Sequence, residues 1–340
     1  MRVFVYNMRD YDERPFFDDI CLKEGVEYGY SYEAPTVENA ALARGYDAID
    51  IITCPVDWPR LEALKKAGIK LIISRTVGTD HIDREAARQL GIDVIGITYT
   101  PGAVADYTVM LILMGCRRFK YLTMRTVAQD YGLEGRIGKD LSDSTVGIIG
   151  GGPIGKAVAR RLSGFDCRIL MFDRHTDEEI AGIAEYADFD RVIKESDILS
   201  LHLAGRPENR HIIKRDTFAL MKDGVHIINT ARGLLMDTEA LIDNIESGKV
   251  GFAGLDVIEN EIGRYYYDHG DEVLTNRQIS IINGFPNAFV LPHMAFYTEA
   301  AVRDMVVNSI IKGKEYFNGE ISRRTESGTD GTDGTDKERI

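Results

Sequence analysis

The segment Thr145-Val-Gly-Ile-Ile-Gly150-Gly-Gly152-Pro-Ile-Gly155 constrains this chain more than any other. An apolar run, Thr145–Ile149, leads directly into Gly150, Gly152 and Gly155, and a helical pattern follows from Pro153 to Leu162. Glycines at these spacings suit a strand that turns sharply into a helix packed against it. The first allows the tight turn, the second the close approach of a ligand to the backbone, and the third close helix–strand packing. The amino end of such a helix presents free N–H groups and a positive dipole end, which fits a pyrophosphate. The next apolar run, Arg168–Phe172, ends in Asp173, near the roughly 20-residue spacing at which an acid meets a ribose hydroxyl. This order of elements reads as a dinucleotide site contacted by Gly150, Gly152, Pro153, Ile154, Gly155 and Asp173. A carboxylate there accepts from a ribose 2′-OH and repels a 2′-phosphate, so NAD is favoured; Arg174 next to it would soften the exclusion of NADP.

The rest of the chain repeats the alternation of apolar strand and amphipathic helix. Arg2–Tyr6, Ala48–Thr53, Lys70–Ser74 and Asp93–Gly96 read as one series of strands. Thr145–Ile149, Arg168–Phe172, Asp197–Leu201, Val225–Asn229 and Gly251–Leu255 read as another. Strands that are apolar throughout, separated by helices, argue for parallel sheets covered on both faces. The expected fold is therefore α/β, two Rossmann-like doubly wound lobes with a deep cleft between them. A long helix, Ala103–Arg118, starts after Pro101, and a final one runs from Glu299 to Phe317. We expect residues 1–100 with 296–320 to form a substrate domain and 101–295 a NAD-binding domain. Residues 321–340, with Gly-Thr-Asp three times over, are expected to be a disordered tail.

The 340 residues carry a net charge of −13, which argues against nucleic acid as a partner. No apolar run is long enough for a membrane span, the amino terminus lacks a secretory pattern, and the four cysteines have no metal-ligand spacing. A soluble cytoplasmic protein without a metal is expected.

Three side chains fall just after predicted strands: Arg232 in Asn229-Thr-Ala-Arg-Gly233, Glu261 after Gly254-Leu-Asp-Val257, and His293 in Pro292-His293. Ligands of open α/β sheets bind outside the carboxyl ends of the strands, so the three can share a crevice. Their chemistry suits reduction of a 2-oxo acid. The planar fork of Arg232 holds a carboxylate bidentately, His293 exchanges a proton with the carbonyl oxygen, and Glu261 orients the imidazole. The nicotinamide would supply the hydride.

The chain resembles the D-isomer-specific 2-hydroxyacid dehydrogenase family over about residues 1–320. The resemblance is carried by Val77-Gly78-Thr-Asp-His-Ile-Asp83, Tyr99-Thr-Pro-Gly-Ala-Val-Ala-Asp106, the glycine loop, Asn229-Thr-Ala-Arg-Gly233, Gly254-Leu-Asp-Val257 with Glu261, and Pro292-His293. Within the family it is most similar to the D-lactate dehydrogenases, including those of vancomycin-resistance clusters. The resemblance implies that Arg232, Glu261 and His293 are catalytic and that Val77 and Gly78 offer backbone N–H groups to the substrate carboxylate. It also implies that Tyr99 and Phe296 line the substrate pocket and that Asp256 meets the nicotinamide carboxamide. His202, Thr230, Ala231 and Arg232 would lie along the cofactor. A homodimer paired through the helix after Pro101 is implied as well. Met294 and the segment Cys54-Pro-Val-Asp-Trp58 depart from the family pattern, so pyruvate, phenylpyruvate and branched 2-oxo acids all remain open as substrates. Two alternatives share the fold: a phosphoglycerate dehydrogenase and an NADH-sensing, corepressor-like binding protein.

Overall fold

A computed structural model describes residues 1–261, 265–266, 268–270, 273 and 276–320. The tail expected to be disordered, 321–340, lies outside the described residues. The chain divides into two compact units, Met1–Thr100 with the segment that begins at Thr298, and Pro101–Tyr297.

The first unit holds five parallel strands, β1 (Arg2–Val5), β2 (Glu27–Tyr30), β3 (Ala48–Ile51), β4 (Leu71–Ser74) and β5 (Asp93–Gly96), in the order β2-β1-β3-β4-β5. Every residue of β3 and β4 is buried, which is why both read as unbroken apolar runs rather than alternating ones. The helices α1 (Arg14–Glu24), α2 (Trp58–Ala67) and α3 (Arg84–Gln89) belong to this unit, and the helix Glu299–Asn318 returns to it. Local chemistry fixes their ends. The carboxylates of Asp57 and Asp83 and the hydroxyl of Thr298 accept amide hydrogen bonds from the first turns of α2, α3 and the returning helix. Gly68, at φ +97, closes α2 in a left-handed conformation that costs a glycine little. The departing segment at Cys54–Trp58 thus has a local use: Asp57 caps α2, and Trp58 is its first residue, 44% exposed.

The second unit is a seven-stranded, wholly parallel sheet: β6 (Thr145–Ile149), β7 (Arg168–Phe172), β8 (Glu185–Tyr186), β9 (Ile198–Leu201), β10 (Val225–Asn229), β11 (Val250–Leu255) and β12 (Ala288–Val290). The order is β12-β11-β10-β9-β6-β7-β8. Its direction reverses between β6 and β9, which makes the carboxyl ends of those strands the topological switch point. One face packs the apolar side chains of α4 (Gly102–Cys116), such as Leu111 and Ile112, with Val158 and Leu162, which lie between β6 and β7. The other face packs Val192, Phe218 and Leu241. The helix α4 is shorter than the predicted Ala103–Arg118. Arg118 takes a left-handed φ of +51 and turns the chain into a separate helix, α5 (Phe119–Val127), which buries none of its residues. The Gly150–Gly155 loop opens α6 (Pro153–Leu162), as its pattern indicates. No helix among the described residues is long and apolar enough to cross a membrane.

Candidate active site

Because every pairing in the second sheet is parallel, the carboxyl ends of its strands share one edge. The residues expected to act in this unit follow those ends: Gly150 after β6, Asp173 after β7, His202 after β9, Thr230–Arg232 after β10, Asp256 and Glu261 after β11, and His293 after β12.

The glycine loop shows three different requirements. Gly150 sits at φ +109, and a Cβ there would come within 2.7 Å of the His202 carbonyl group. A Cβ on Gly155 would overlap the Gly150 carbonyl oxygen, whereas nothing lies within 4 Å of the corresponding position on Gly152. The first and third glycines are therefore fixed by contact, while the second borders open space. No side chain caps α6, so its first-turn amides are left for a ligand, with Pro153 and Ile154 opening the helix. Asp173 accepts from the Gly151 amide at 2.6 Å and from the His175 amide at 2.9 Å, which ties the acid to the loop. On the opposite side of the switch point, His202 shares a 2.8 Å hydrogen bond between Nε2 and the Ser200 hydroxyl. Its Nδ1 is buried without a partner among the described residues, and desolvation pushes its pKa down to about 3, so the ring is neutral. An orphaned nitrogen beside a bare glycine turn and an uncapped helix fits a dinucleotide with a diphosphate.

After β10, the buried side chain of Asn229 shapes the backbone that carries the arginine. Its Oδ1 accepts from the Ala231 amide at 3.0 Å, and its Nδ2 donates to the Arg232 carbonyl at 2.9 Å. Arg232 leaves this turn extended, with φ −145 and ψ 141, and its Nη1 donates to the Ala231 carbonyl at 2.8 Å. Gly205, from the loop after β9, packs on the arginine stem; a Cβ there would stand 2.8 Å from Arg232 Cγ. A side chain on Gly233 would overlap the Ile258 backbone, so that glycine lets the turns after β10 and β11 touch. The Thr230 hydroxyl is paired at 2.8 Å with that of Thr108 on α4.

His293 and Glu261 meet. The imidazole Nδ1 lies 2.8 Å from Glu261 Oε1, and Glu261 Oε2 accepts from the Ile258 amide at 2.7 Å. A carboxylate only accepts, so Nδ1 carries the proton and donates, and Nε2 is the nitrogen left to exchange a proton with a ligand. The His293 backbone is itself held in a left-handed φ of +56. Its amide donates to the Asp256 carbonyl at 2.9 Å, and the Asp256 carboxylate accepts from the Met294 and Ala295 amides at 2.8 and 2.9 Å. Asp256, expected to meet the nicotinamide, is wholly buried and commits both oxygens to the backbone that carries His293. Burial pushes its pKa up, opposed by those two amides and by His293. The Tyr107 phenol of α4 is likewise pushed up, first by burial and then by the charge of Asp256.

Sequence reasoning does not single out Tyr266. Its hydroxyl donates to the His293 carbonyl at 3.1 Å, and its ring stands 6.3 Å from His293 and 6.2 Å edge-on from Phe296. Phe296 lies 6.5 Å from the imidazole, so aromatic rings flank it. The run Tyr265-Tyr-Tyr267 shortly after Glu261 is the available signal.

In the first unit, Val77 and Gly78 follow β4, and Tyr99 follows β5. Among the described residues neither the Val77 nor the Gly78 amide has a hydrogen-bond partner. The Thr76 hydroxyl donates to the Gly78 carbonyl at 2.6 Å and lies 2.6 Å from the Ser74 hydroxyl, so the loop is braced from within.

Comparison with known proteins agrees with this geometry. Residues 109–295 match the description "D-isomer specific 2-hydroxyacid dehydrogenase, NAD binding domain". A D-specific alpha-keto acid dehydrogenase of Enterococcus faecium is 42% identical over 250 residues, covering 74% of this chain and 76% of its own. An aromatic 2-oxoacid reductase of Clostridium sporogenes is 36% identical over 321 residues, covering 93% and 96%. The crystal structure of a D-lactate dehydrogenase from Treponema pallidum superposes with a TM-score of 0.84 at 29% identity, covering 94% of this chain and 97% of that one.

Proposed function

The chain belongs to the D-isomer-specific 2-hydroxyacid dehydrogenase family and binds NAD, and from that premise we infer that it reduces a 2-oxo acid to the D-2-hydroxy acid with His293 as proton donor. The substrate would be pyruvate or a larger analogue such as phenylpyruvate or 2-oxoisocaproate. The 2.8 Å pairing of His293 Nδ1 with Glu261 carries the reading, because it leaves Nε2 as the nitrogen that faces proton exchange.

NADH, when bound, supplies the hydride. In this reading Gly150, Gly152, Pro153, Ile154, Gly155, Asp173, His202, Thr230 and Ala231 hold it. The guanidinium of Arg232, its stem fixed by Gly205 and by the Asn229 turn, takes the substrate carboxylate in bidentate fashion. The amides of Val77 and Gly78, without partners among the described residues, are assigned to the same carboxylate, and Tyr99 and Phe296 to the substrate's side chain. As the carbonyl carbon is reduced, the developing alkoxide takes a proton from His293 Nε2, and Glu261 stabilises the ring in the charged state from which that proton leaves. In the oxidative direction the neutral ring, held with its proton on Nδ1, takes the hydroxyl proton at Nε2. Asp256 and Tyr266 hold the His293 backbone in place.

The reading includes a homodimer. Met110, Phe119, Met124 and Val127 on α4 and α5 are exposed apolar side chains, and an open recess of about 450 Å³ lies among Val109, Met110, Leu113, Met114 and Phe119, with Asp106 and Arg117 at its side; this face is assigned to the second copy. It also places the enzyme in the cytoplasm, in keeping with four free thiols at Cys21, Cys54, Cys116 and Cys167.

NADH oxidation followed at 340 nm against pyruvate, 2-oxoisocaproate, phenylpyruvate and 3-phosphohydroxypyruvate, with NADPH as control and chiral analysis of the product, tests the reading. Rapid turnover of one of the first three to the D-isomer is expected. NADH binding with no turnover of any of them would remove the reductase assignment.

A further inference from the structure

Arg75 is wholly buried, and so are the two carboxylates that meet it. It directly follows β4 and precedes the Thr76–Gly78 loop. Its Nε donates to Glu13 Oε1 at 3.2 Å and its Nη1 to Asp50 Oδ1 at 3.1 Å. Its Nη2 faces the Tyr6 carbonyl at 3.2 Å, the Asn7 carbonyl at 3.3 Å and Glu13 Oε2 at 3.3 Å. The far oxygen of Asp50 accepts from the Ser309 hydroxyl at 2.6 Å, and the Phe17 ring lies 5.5 Å from the guanidinium carbon. The guanidinium thus ties together the end of β1, the start of α1, the strand β3 and, through Asp50, the returning helix. Its donors are turned inward onto oxygens of the protein and do not reach a ligand.

Burying an arginine and two acids is costly, and a well-packed apolar cluster of similar volume is often as stable or more so. What the charges add is geometry, since a planar fork spanning fixed oxygens admits one orientation. The residue so fixed stands immediately before the loop whose Val77 and Gly78 amides have no hydrogen-bond partner among the described residues. The loop is closely backed: a Cβ on Gly96 would stand 3.2 Å from the Thr76 and Val77 carbonyl oxygens. A small displacement of Arg75 would therefore be passed to the two amides rather than absorbed.

We propose that Arg75 is a positioning residue for the substrate: its buried ion pairs with Glu13 and Asp50 set the Thr76–Gly78 loop so that the Val77 and Gly78 amides receive the carboxylate of the 2-oxo acid. This rests on the reading above that those amides take the carboxylate. Arg75 itself does not touch substrate. Its loss should weaken binding of ground state and transition state alike, which appears in KM and leaves kcat in place.

The test uses the full-length protein and whichever 2-oxo acid the wild type turns over. Arg75→Lys keeps the charge but cannot span Glu13, Asp50 and two carbonyls, and Asp50→Asn keeps the shape while removing one charge. Arg75→Lys should raise KM for the 2-oxo acid about tenfold with kcat within about threefold, and Asp50→Asn should raise KM about threefold. The dissociation constant for NADH, from fluorescence, should not move in either. A merely structural role would lower the folded fraction, and with it the apparent kcat, at unchanged KM; that result overturns the proposal. If Arg75→Lys fails to fold, Asp50→Asn decides alone, and a folded Asp50→Asn protein with wild-type KM overturns it. Thr76→Val, which frees the Gly78 carbonyl within the loop, separates the two levels. A raised KM in Thr76→Val alone leaves the amides as carboxylate ligands and removes Arg75 from their control. An unchanged KM in all three variants removes the assignment of the loop as well.

Discussion

Replacing Glu261 by glutamine keeps the size of the side chain, removes its charge and leaves the site one acceptor short. The wild-type carboxylate accepts twice, from the Ile258 amide at 2.7 Å and from His293 Nδ1 at 2.8 Å. An amide has one accepting oxygen. If that oxygen faces His293, the NH2 group is driven against the Ile258 N–H, donor against donor. If it faces Ile258, the NH2 donates to Nδ1, and the imidazole must carry its proton on Nε2 and cannot take a second one without losing that bond. Both arrangements disfavour the doubly protonated ring that we propose gives a proton to substrate. A hydrogen bond to a charged group is worth about 1.5–3 kcal/mol, and at 1.36 kcal/mol per tenfold the reductive kcat/KM should fall about 10- to 150-fold. In the proposed mechanism the oxidative direction uses the neutral ring and should suffer less. The assay is NADH oxidation and NAD reduction across pH with the wild type and Glu261→Gln. Reductive rates within twofold of the wild type would refute the coupling of Glu261 to proton transfer.

Contacts elsewhere in the second unit lead to two other outcomes. Gly155→Ala places a methyl group into the Gly150 carbonyl oxygen, so helix and strand must separate; NADH binding by fluorescence should fall at least tenfold, as roughly 1.4 kcal/mol of distortion already implies. His226, buried against Phe252, has its pKa pushed down to about 4, chiefly by desolvation and then by Lys139. The folded state therefore binds fewer protons than the unfolded chain between about pH 6.5 and 4. Its stabilising contribution is complete above pH 6.5 and is lost as pH falls through that window, by at most about 3 kcal/mol. Urea midpoints measured across this range should fall more steeply for the wild type than for His226→Gln; parallel curves would contradict it.

The parts of the molecule most legible in the sequence are those set by backbone sterics. The bounds of β6, β7 and α6 follow from two apolar runs, three glycines and a proline, and the first and third of those glycines answer contacts no other residue tolerates. Arg232, Glu261 and His293 are legible because parallel strands bring their carboxyl ends to one edge. Edge elements are harder to see. β2 is the short run Glu-Tyr-Gly-Tyr with no fully buried residue, and β12 has three residues, so neither carries a pattern long enough to stand out. Helix α5 is not read from the sequence: none of its residues is buried, and nothing marks Arg118 as the left-handed residue that starts it. The supports of the site are hidden for a different reason. The clamp of Asp256 on Met294 and Ala295 and the tie of Arg75 to Glu13 join residues far apart in the chain, and a lone acid or arginine reads as solvated surface until the fold buries it.

In the proposed function His293 gives the proton in NADH-dependent reduction of a 2-oxo acid. The most direct test is the turnover of His293→Ala beside the wild type, with NADH affinity measured by fluorescence on the same samples. A positioned general acid contributes about 10²–10⁴-fold, so turnover should fall by at least 10² while NADH affinity stays at the wild-type value. Turnover within tenfold of the wild type, with NADH still bound, would contradict proton donation by His293.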